Sequence, residues 1–214
     1  MQQQLSRRAM TKLAVMAPLA LWLSRPGLAS AQDEAADLDA IFATPGTPVF
    51  GSADANLTMV GFLDYNCPFC KQSAPYLKEL MATDDKLRVV FKDWPILTPA
   101  SVYGGQAALA AHEHGQYLQA HDALMAIPGM RITEDQMREA LEVSDVDMAA
   151  VDATIKEKGP ALLDQLRANT AIADEIGLTG TPSYLIGPFF VGSALDLAGF
   201  REVVAAAREE IGVS

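Results

Sequence analysis

The feature that most constrains this chain is a pair of cysteines, Cys67 and Cys70, placed between an apolar strand and a helix. The run 57–63 is β-rich and largely apolar, which is typical of a strand buried on both faces. Helical spacing of apolar residues then predicts a helix over 67–81. Cys67 therefore stands at a helix N-terminus, and Cys70 lies one turn further along the same face.

This position favours a reactive thiol. The free N–H groups and the positive dipole end at a helix N-terminus both stabilise a thiolate, which is the species that attacks disulfides. Cysteines in such C-x-x-C motifs have pKa values of about 3.5–7.5, against about 8.5 for an unperturbed thiol. We expect Cys67 to attack and the more buried Cys70 to resolve the mixed disulfide. A purely structural disulfide is disfavoured, because so short a loop restricts the unfolded chain by only about 2 kcal/mol.

The segments around the motif predict an α/β fold with a mixed four- or five-stranded sheet and helices on both faces. A second strand over 87–91 completes a parallel βαβ unit. A hairpin is predicted over 183–186 and 189–192, followed by a terminal helix over 195–211. Between these two halves the pattern is helical, with predicted helices over 100–114, 116–126, 133–143, 147–157 and 160–176.

The first 31 residues have the composition of a secretory signal peptide. They contain four basic residues and no acidic one, then an apolar run over 13–23, then Ala29-Ser30-Ala31 as a cleavage site. The apolar run is too short to span a bilayer as a permanent helix, although an uncleaved anchor is the alternative. We expect cleavage after about Ala31 and export to the periplasm. The pair Arg7-Arg8 leaves both the Sec and the twin-arginine routes open.

The predicted organisation has five parts, which follow from these patterns. They are a signal peptide (1–31), an N-terminal extension with an edge strand (32–56), a βαβ half (57–98), a helical insertion (99–177) and a ββα half (178–214).

The charge of the chain excludes several kinds of partner. A net charge of −11 argues against nucleic-acid binding, which needs a basic face to meet phosphate. The same acidity keeps a protein soluble and away from anionic membranes, so no stable membrane insertion is expected. Half of the residues are apolar, which is sufficient for a packed core.

Two separated segments carry a resemblance to a known family. Residues 62–71, which include Cys67-Pro68-Phe69-Cys70, resemble the active-site segment of the DsbA-like thioredoxin family, and Gly180-Thr181-Pro182 resembles that family's cis-proline loop. The resemblance extends over roughly 45–212. It implies a thioredoxin fold with an inserted helical subdomain and the activity of an exported bacterial thiol:disulfide oxidoreductase.

The resemblance also implies roles for individual residues. Thr181-Pro182 would form a cis peptide facing Cys67 and bind an extended substrate segment by strand addition. Pro68-Phe69 would tune the redox behaviour of the motif. No bound cofactor is expected, because the redox-active disulfide Cys67–Cys70 itself carries the electrons.

One position departs from the family pattern. Many relatives have a buried acid in the strand six residues before the first cysteine, where this chain has Gly61. A proton relay to Cys70 would then use water, or the side chain of Asp64 or Lys92.

Three functions remain open at this point. The first is an oxidase of unfolded or reduced exported proteins, reoxidised by a membrane redox partner. The second is a disulfide isomerase or reductase of the same fold. The third is a metal-binding protein that uses the two cysteines and a histidine. His112 and His114 do not share a helix face, so we expect solvated or capping histidines and no metal site.

Overall fold

The structure, a computed structural model, describes residues 42–213, so the predicted signal peptide and its cleavage site lie outside the described residues. In chain order the elements are β1 (Val49–Gly51), β2 (Leu57–Leu63), α1 (Pro68–Thr83), β3 (Leu87–Asp93), α2 (Pro99–His112), α3 (Tyr117–Ala126), α4 (Glu134–Glu142), α5 (Met148–Glu175), β4 (Ser183–Ile186), β5 (Phe189–Val191) and α6 (Leu197–Glu210).

The strands form one mixed sheet in the order β1-β3-β2-β4-β5. β2 and β3 are parallel and joined through α1, in agreement with the predicted βαβ unit. β1 pairs antiparallel with β3 at one edge, and the predicted hairpin of β4 and β5 forms the other edge. All seven residues of the central strand β2 are buried, which explains its unbroken apolar run. The predicted α/β fold with a mixed sheet of four or five strands is confirmed, and the sheet has five.

The two faces of the sheet contribute to two separate cores, because successive strand residues point to opposite sides. In β2 and β3, odd-numbered residues such as Met59 and Phe91 join the larger core, together with both cysteines, Tyr184 of β4 and residues of α1 and α6. Even-numbered residues of β2 and β3, such as Phe62 and Val90, join a smaller core, where the Phe62 and Trp94 rings meet edge to face at 6.0 Å. The two cysteines therefore lie on the face of the sheet that contributes to the larger core.

The helices α2 to α5 lie between β3 and β4 in the chain, where a helical insertion was predicted. The predicted break at Gly159-Pro160 is wrong, because α5 runs through Pro160 as one helix of 28 residues. An interior proline costs about 3 kcal/mol. Buried residues on both sides of it, including Val151 and Leu166, keep the helix packed in the larger core, and Gln106 Nε2 on α2 donates to the Gly159 carbonyl at 3.1 Å.

The predicted cap of α4 is confirmed. The backbone N–H of Gln136 donates to Thr133 Oγ1, and the Gln136 side chain in return accepts from the Thr133 N–H at 3.0 Å. This reciprocal pair satisfies two N–H groups that a helix start leaves without partners.

A polar cluster is buried under the helices at the carboxyl end of β3. Tyr117 OH donates to Asp93 Oδ1 at 3.0 Å, and Tyr65 OH lies 3.2 Å from His121 Nδ1. Burial raises the pKa of Asp93 to about 7 and lowers the pKa of His121 to about 4. The expectation that the histidines are solvated or capping is therefore wrong for His121, which is a neutral core residue stacked on Tyr117.

We predict a pH-dependent stability that arises from Asp93. Its pKa is near 3.8 when unfolded and about 7 when folded, so the native state retains a proton that the unfolded chain loses between those values. That contribution to stability is complete below about pH 4 and is lost as pH rises towards 7. Between pH 4.5 and 7 the Tm of the wild type should fall relative to that of Asp93→Asn, as measured by circular dichroism.

A control for this prediction is Asp152→Asn. The hydrogen bond from Arg138 lowers the pKa of Asp152, so this carboxylate is ionised throughout the range and its replacement should not change the pH profile. Parallel plots of Tm against pH for the wild type and Asp93→Asn would contradict the prediction.

Candidate active site

Cys67 is the N-cap residue of α1, and Cys70 lies in the first turn of the helix. Pro68 occupies the first helical position, where a missing N–H has no cost. The backbone N–H of Cys70 donates to Cys67 Sγ at 3.4 Å. The two side chains are 3% and 1% exposed, and both are thiols. The structure thus brings the two sulfurs together at a helix start.

The cis-proline loop lies directly opposite the first cysteine. The Thr181–Pro182 peptide is cis, as the resemblance implied, and the Cys67 thiol donates to the Thr181 carbonyl at 3.1 Å. Thr181 Oγ1 is buried without a hydrogen-bond partner among the described residues. An otherwise unused hydroxyl beside the sulfur can donate to it once Cys67 ionises.

The surroundings of Cys67 favour its thiolate. A hydrogen bond from the Cys70 thiol is the largest influence, and it lowers the pKa of Cys67 to about 6 in spite of partial burial. Thr181 and the backbone N–H groups of Cys70 and Phe69 lower it further. The sequence predicted a low pKa for Cys67 from the helix N-terminus, whereas in the structure the Cys70 thiol lowers this pKa more than the backbone does.

The surroundings of Cys70 favour its protonated thiol. Burial raises the pKa of Cys70 well above its usual value, and the hydrogen bond and charge of Cys67 raise it further. The pair therefore carries one negative charge on Cys67 and one proton on Cys70 at neutral pH. This is the distribution that an attacking thiolate and a waiting resolving thiol require.

The place of the expected buried acid is filled by an aromatic ring. Gly61 pairs with Tyr184 across β2 and β4, and a Cβ on Gly61 would lie 3.5 Å from the Tyr184 ring. Burial raises the pKa of Tyr184, and the charge of Cys70 raises it further, whereas a hydrogen bond with Ser73 acts against these. A neutral phenol thus lies close to Cys70 in place of a carboxylate.

The two proposed relay residues have other partners. The Asp64 carboxylate accepts hydrogen bonds from Asn66 N and Ser101 Oγ at 2.7 Å, and from the backbone N–H groups of Ile96 and Leu97. It organises the loop before the motif. Lys92 lies on the opposite face of the sheet, where Nζ donates to Thr47 Oγ1 at 3.1 Å and burial lowers its pKa to about 8. The structure does not bring Lys92 to the cysteines.

Asn66, directly before Cys67, is a site residue that the sequence argument missed. Its Oδ1 accepts from Ile132 N at 2.5 Å, and its Nδ2 donates to Ile132 O at 3.2 Å and to Thr98 Oγ1 at 2.8 Å. The side chain is buried and ties the motif to the helical insertion. In the sequence, Asn66 is visible only as a polar residue between a strand and a helix. That position does not reveal which groups its side chain binds.

Lys71, directly after Cys70, is a second residue that the argument missed. Its Nζ donates to the carbonyls of Ile127 at 2.8 Å and Gly129 at 3.3 Å. Both contacts are to neutral carbonyl groups, and burial lowers the pKa of Lys71. The motif is therefore held on both sides by the same stretch of chain, the α3–α4 loop.

The comparison with known families agrees with this geometry. A family model described as Thioredoxin matches residues 43–206, which is more than half of the chain. The chain belongs to the thioredoxin family.

Solved structures place this thioredoxin-family chain among the DsbA-like members. A thioredoxin-like oxidoreductase from Silicibacter pomeroyi is 29% identical, covers 80% of this chain and 97% of its own, and superposes with a TM-score of 0.72. The catalytic domain of Proteus mirabilis ScsC is 25% identical, with 86% and 99% coverage and a TM-score of 0.70. The predicted DsbA-like thioredoxin fold is confirmed.

The curated relatives that match this chain are much longer proteins. The Na(+)/H(+) antiporter NhaA 3 of Salinispora tropica is 28% identical over 140 residues, which are 64% of this chain and 21% of the antiporter. This thioredoxin-family chain thus spans about a fifth of the length of such relatives.

Within residues 42–213 the structure has no group of three or more His, Cys, Asp or Glu side chains that could hold a metal ion. His121 contacts Tyr65, and His114 Nε2 lies 2.8 Å from Thr154 Oγ1. Neither histidine lies with the cysteines as the metal-binding alternative would require.

We predict that Asn66→Ala destabilises this thioredoxin-family protein by about 2–6 kcal/mol in urea unfolding. The substitution leaves the buried N–H and C=O of Ile132 without their partner, and each such group costs about 1–3 kcal/mol. The matched control is Asn169→Ala, because that buried side chain donates one hydrogen bond, to Asp93 O at 2.9 Å. Equal losses in the two variants would contradict the role assigned to Asn66.

We also predict that Cys67 ionises with a midpoint near pH 6. The titration is measured by thiolate absorbance at 240 nm, with Cys67→Ser as the blank. Cys70→Ala removes the largest stabilising contact and should raise the midpoint by at least about one pH unit. A hydrogen bond to a charged group contributes about 1.5–3 kcal/mol, and one pKa unit is about 1.4 kcal/mol. Thr181→Val should give a smaller rise. An unchanged midpoint in Cys70→Ala would refute the shared-proton arrangement.

Proposed function

We propose that this protein is a thiol:disulfide oxidoreductase that introduces or exchanges disulfides in exported proteins. The observation that carries the proposal is the hydrogen-bonded pair at the start of α1, where Cys67 has a pKa of about 6 and Cys70 one well above the usual value. Such opposed pKa values give the two sulfurs different roles in disulfide exchange.

The reaction proceeds through a mixed disulfide at Cys67. In the oxidised protein a substrate thiolate attacks Cys67 Sγ, the Cys67–Cys70 bond breaks, and Cys70 leaves as a thiolate that takes up a proton. A second substrate thiolate then attacks the substrate sulfur of the mixed disulfide and releases Cys67 as a thiolate. The substrate loses two electrons and gains a disulfide, whereas the protein becomes the dithiol. In the reverse sense, Cys70 resolves the mixed disulfide.

The low pKa of Cys67 favours the oxidase direction. Contacts that stabilise the Cys67 thiolate exist only in the reduced protein, so they stabilise the dithiol relative to the disulfide. A protein with a stabilised reduced form tends to accept electrons from substrate thiols. Reoxidation then requires an electron acceptor, for which we propose a membrane redox partner. The cysteine pair carries the electrons without a bound cofactor.

Substrate binding is assigned to the groove beside the cis-proline loop. Phe69, Gln72 and Thr181-Pro182 line this groove, and Phe69 is 59% exposed. An extended segment of an unfolded or reduced protein can add to the backbone of Thr181 as a further strand. The exposed ring of Phe69 gives such a segment an apolar surface next to the reacting sulfur.

We propose a periplasmic location, which rests on the signal-like composition of residues 1–31. Export places the cysteine pair where disulfides persist. In the part of the chain that the structure describes, no helix combines the length and the apolarity needed to cross a bilayer.

A disulfide isomerase or reductase is the second candidate function. It is supported by the likeness to the ScsC catalytic domain. The lead-in Asp64-Tyr65-Asn66 also resembles that of isomerase-like and ScsC-like relatives. The equilibrium of the pair with glutathione separates the candidates, since a strongly oxidising potential favours the oxidase and a strongly reducing one the reductase.

We predict that the mature protein catalyses disulfide formation in reduced, unfolded ribonuclease, read out as recovered ribonuclease activity. Cys67→Ser should be inactive because it lacks the attacking sulfur. With scrambled, disulfide-bonded ribonuclease as substrate, the Cys67 thiolate of reduced Cys70→Ser attacks a substrate disulfide and releases a substrate thiolate. The resulting covalent complex should accumulate on non-reducing gels, because Cys70 is no longer present to resolve it. Ribonuclease recovery that is equal for the wild type and Cys67→Ser would refute the proposed function.

A further inference from the structure

The α3–α4 loop, residues 127–132, is fastened to both flanks of the cysteine motif. Asn66 binds both backbone groups of Ile132 at one end of the loop, and Lys71 binds the carbonyls of Ile127 and Gly129 at the other. The tip between these anchors is presented to solvent beside the motif, and Met130 there is 66% exposed.

The backbone of the loop requires unusual conformations to make this turn. Gly129 has φ +90° and Arg131, a non-glycine residue, has φ 57°. A side-chain-bearing residue in the left-handed region is uncommon and is retained where its surroundings fix it. The anchors described above supply that fixation, so the loop is a positioned element of the site.

A groove of about 680 Å³ lies between α1 and this loop. Its apolar lining includes Pro68, Pro75, Met125, Ile127 and Met130. Pro68, the residue bonded to Cys67, is one of the lining residues, so the groove borders the reacting cysteine.

The two middle residues of the motif face different grooves. Phe69 lines the groove of the cis-proline loop, and Pro68 lines the groove of the α3–α4 loop. A polypeptide whose cysteine reaches Cys67 therefore has a separate surface on each side of its reacting residue. The cis-proline loop accounts for one flank of the substrate and leaves the other flank unassigned.

The charged groups of the second groove already have partners. Lys78 Nζ lies 2.6 Å from Asp122 Oδ2, and Lys71 Nζ is bound by two loop carbonyls. Most of the lining side chains are apolar, so the apolar surface determines what the groove accepts. Methionine is flexible and polarisable, which suits it to apolar side chains of varied shape.

We propose that this groove binds the second flank of the substrate polypeptide and selects a large apolar side chain next to its cysteine, with Met130 as the residue that determines this specificity. The proposal rests on the proposed function, since it concerns the same sulfur and the same class of substrate.

The test uses Cys70→Ser protein whose Cys67 is joined to thionitrobenzoate as a mixed disulfide. A reduced peptide with one cysteine attacks Cys67, forms the new mixed disulfide and releases thionitrobenzoate, which is followed at 412 nm. Three peptides carry leucine before the cysteine, leucine after it, or serine at both positions. We expect one leucine peptide to react about tenfold faster than the serine peptide, and Met130→Ser to abolish that advantage.

The matched control is Val143→Ser, an exposed apolar residue at the end of α4 that is 82% exposed, and it should keep the preference. Equal rates for all three peptides, or a preference that survives Met130→Ser, would overturn the groove assignment even if ribonuclease is oxidised. A preference that depends on Met130, together with no oxidation of ribonuclease, would support the groove and overturn the proposed function. The two failures are thus distinguishable.

Discussion

The hydrogen bond from the Cys70 thiol to the Cys67 sulfur is the interaction on which the active site depends. It places one proton between two sulfurs and assigns the charge to the outer one. The arrangement requires α1 to begin at Cys67, so that Cys70 lies one turn deeper and out of water. It also requires a fixed partner opposite, which the cis-proline loop supplies through the Thr181 side chain, a hydrogen-bond donor that lowers the pKa of Cys67. The sheet positions both, because α1 follows the central strand and the loop precedes its neighbour.

Much of this could be predicted from sequence because the signals are local. The apolar run of β2, the cysteine and proline that begin α1, and the Thr133–Gln136 cap each specify their structure within a few residues. The order of these elements then restricts the sheet to few topologies, since parallel strands need a crossover and a hairpin joins antiparallel ones. Local patterns and the family resemblance together were therefore sufficient to place the cysteine pair opposite the cis-proline loop.

The features that sequence did not reveal depend on partners far along the chain. Pro160 locally indicates a break, but buried residues on both sides of it keep α5 continuous. Lys92 is close enough in sequence to suggest a proton relay, but strand alternation turns it to the other face of the sheet. Asn66 resembles an ordinary polar loop residue, although it contacts a residue 66 positions away. Such roles follow from tertiary neighbours, which hydrophobic periodicity does not encode.

Gly61 stands where a buried acid was expected, and this changes how the Cys70 thiol can lose its proton. The register of β2 and β4 sets Tyr184 against Gly61, so the space that a carboxylate would fill holds a ring. Because burial raises the pKa of Tyr184, its phenol keeps its proton at neutral pH. A phenol that keeps its proton cannot remove the proton from the Cys70 thiol. When Cys70 ionises, its proton must therefore pass to water or to the substrate, and the pH dependence of resolution follows the two sulfurs themselves.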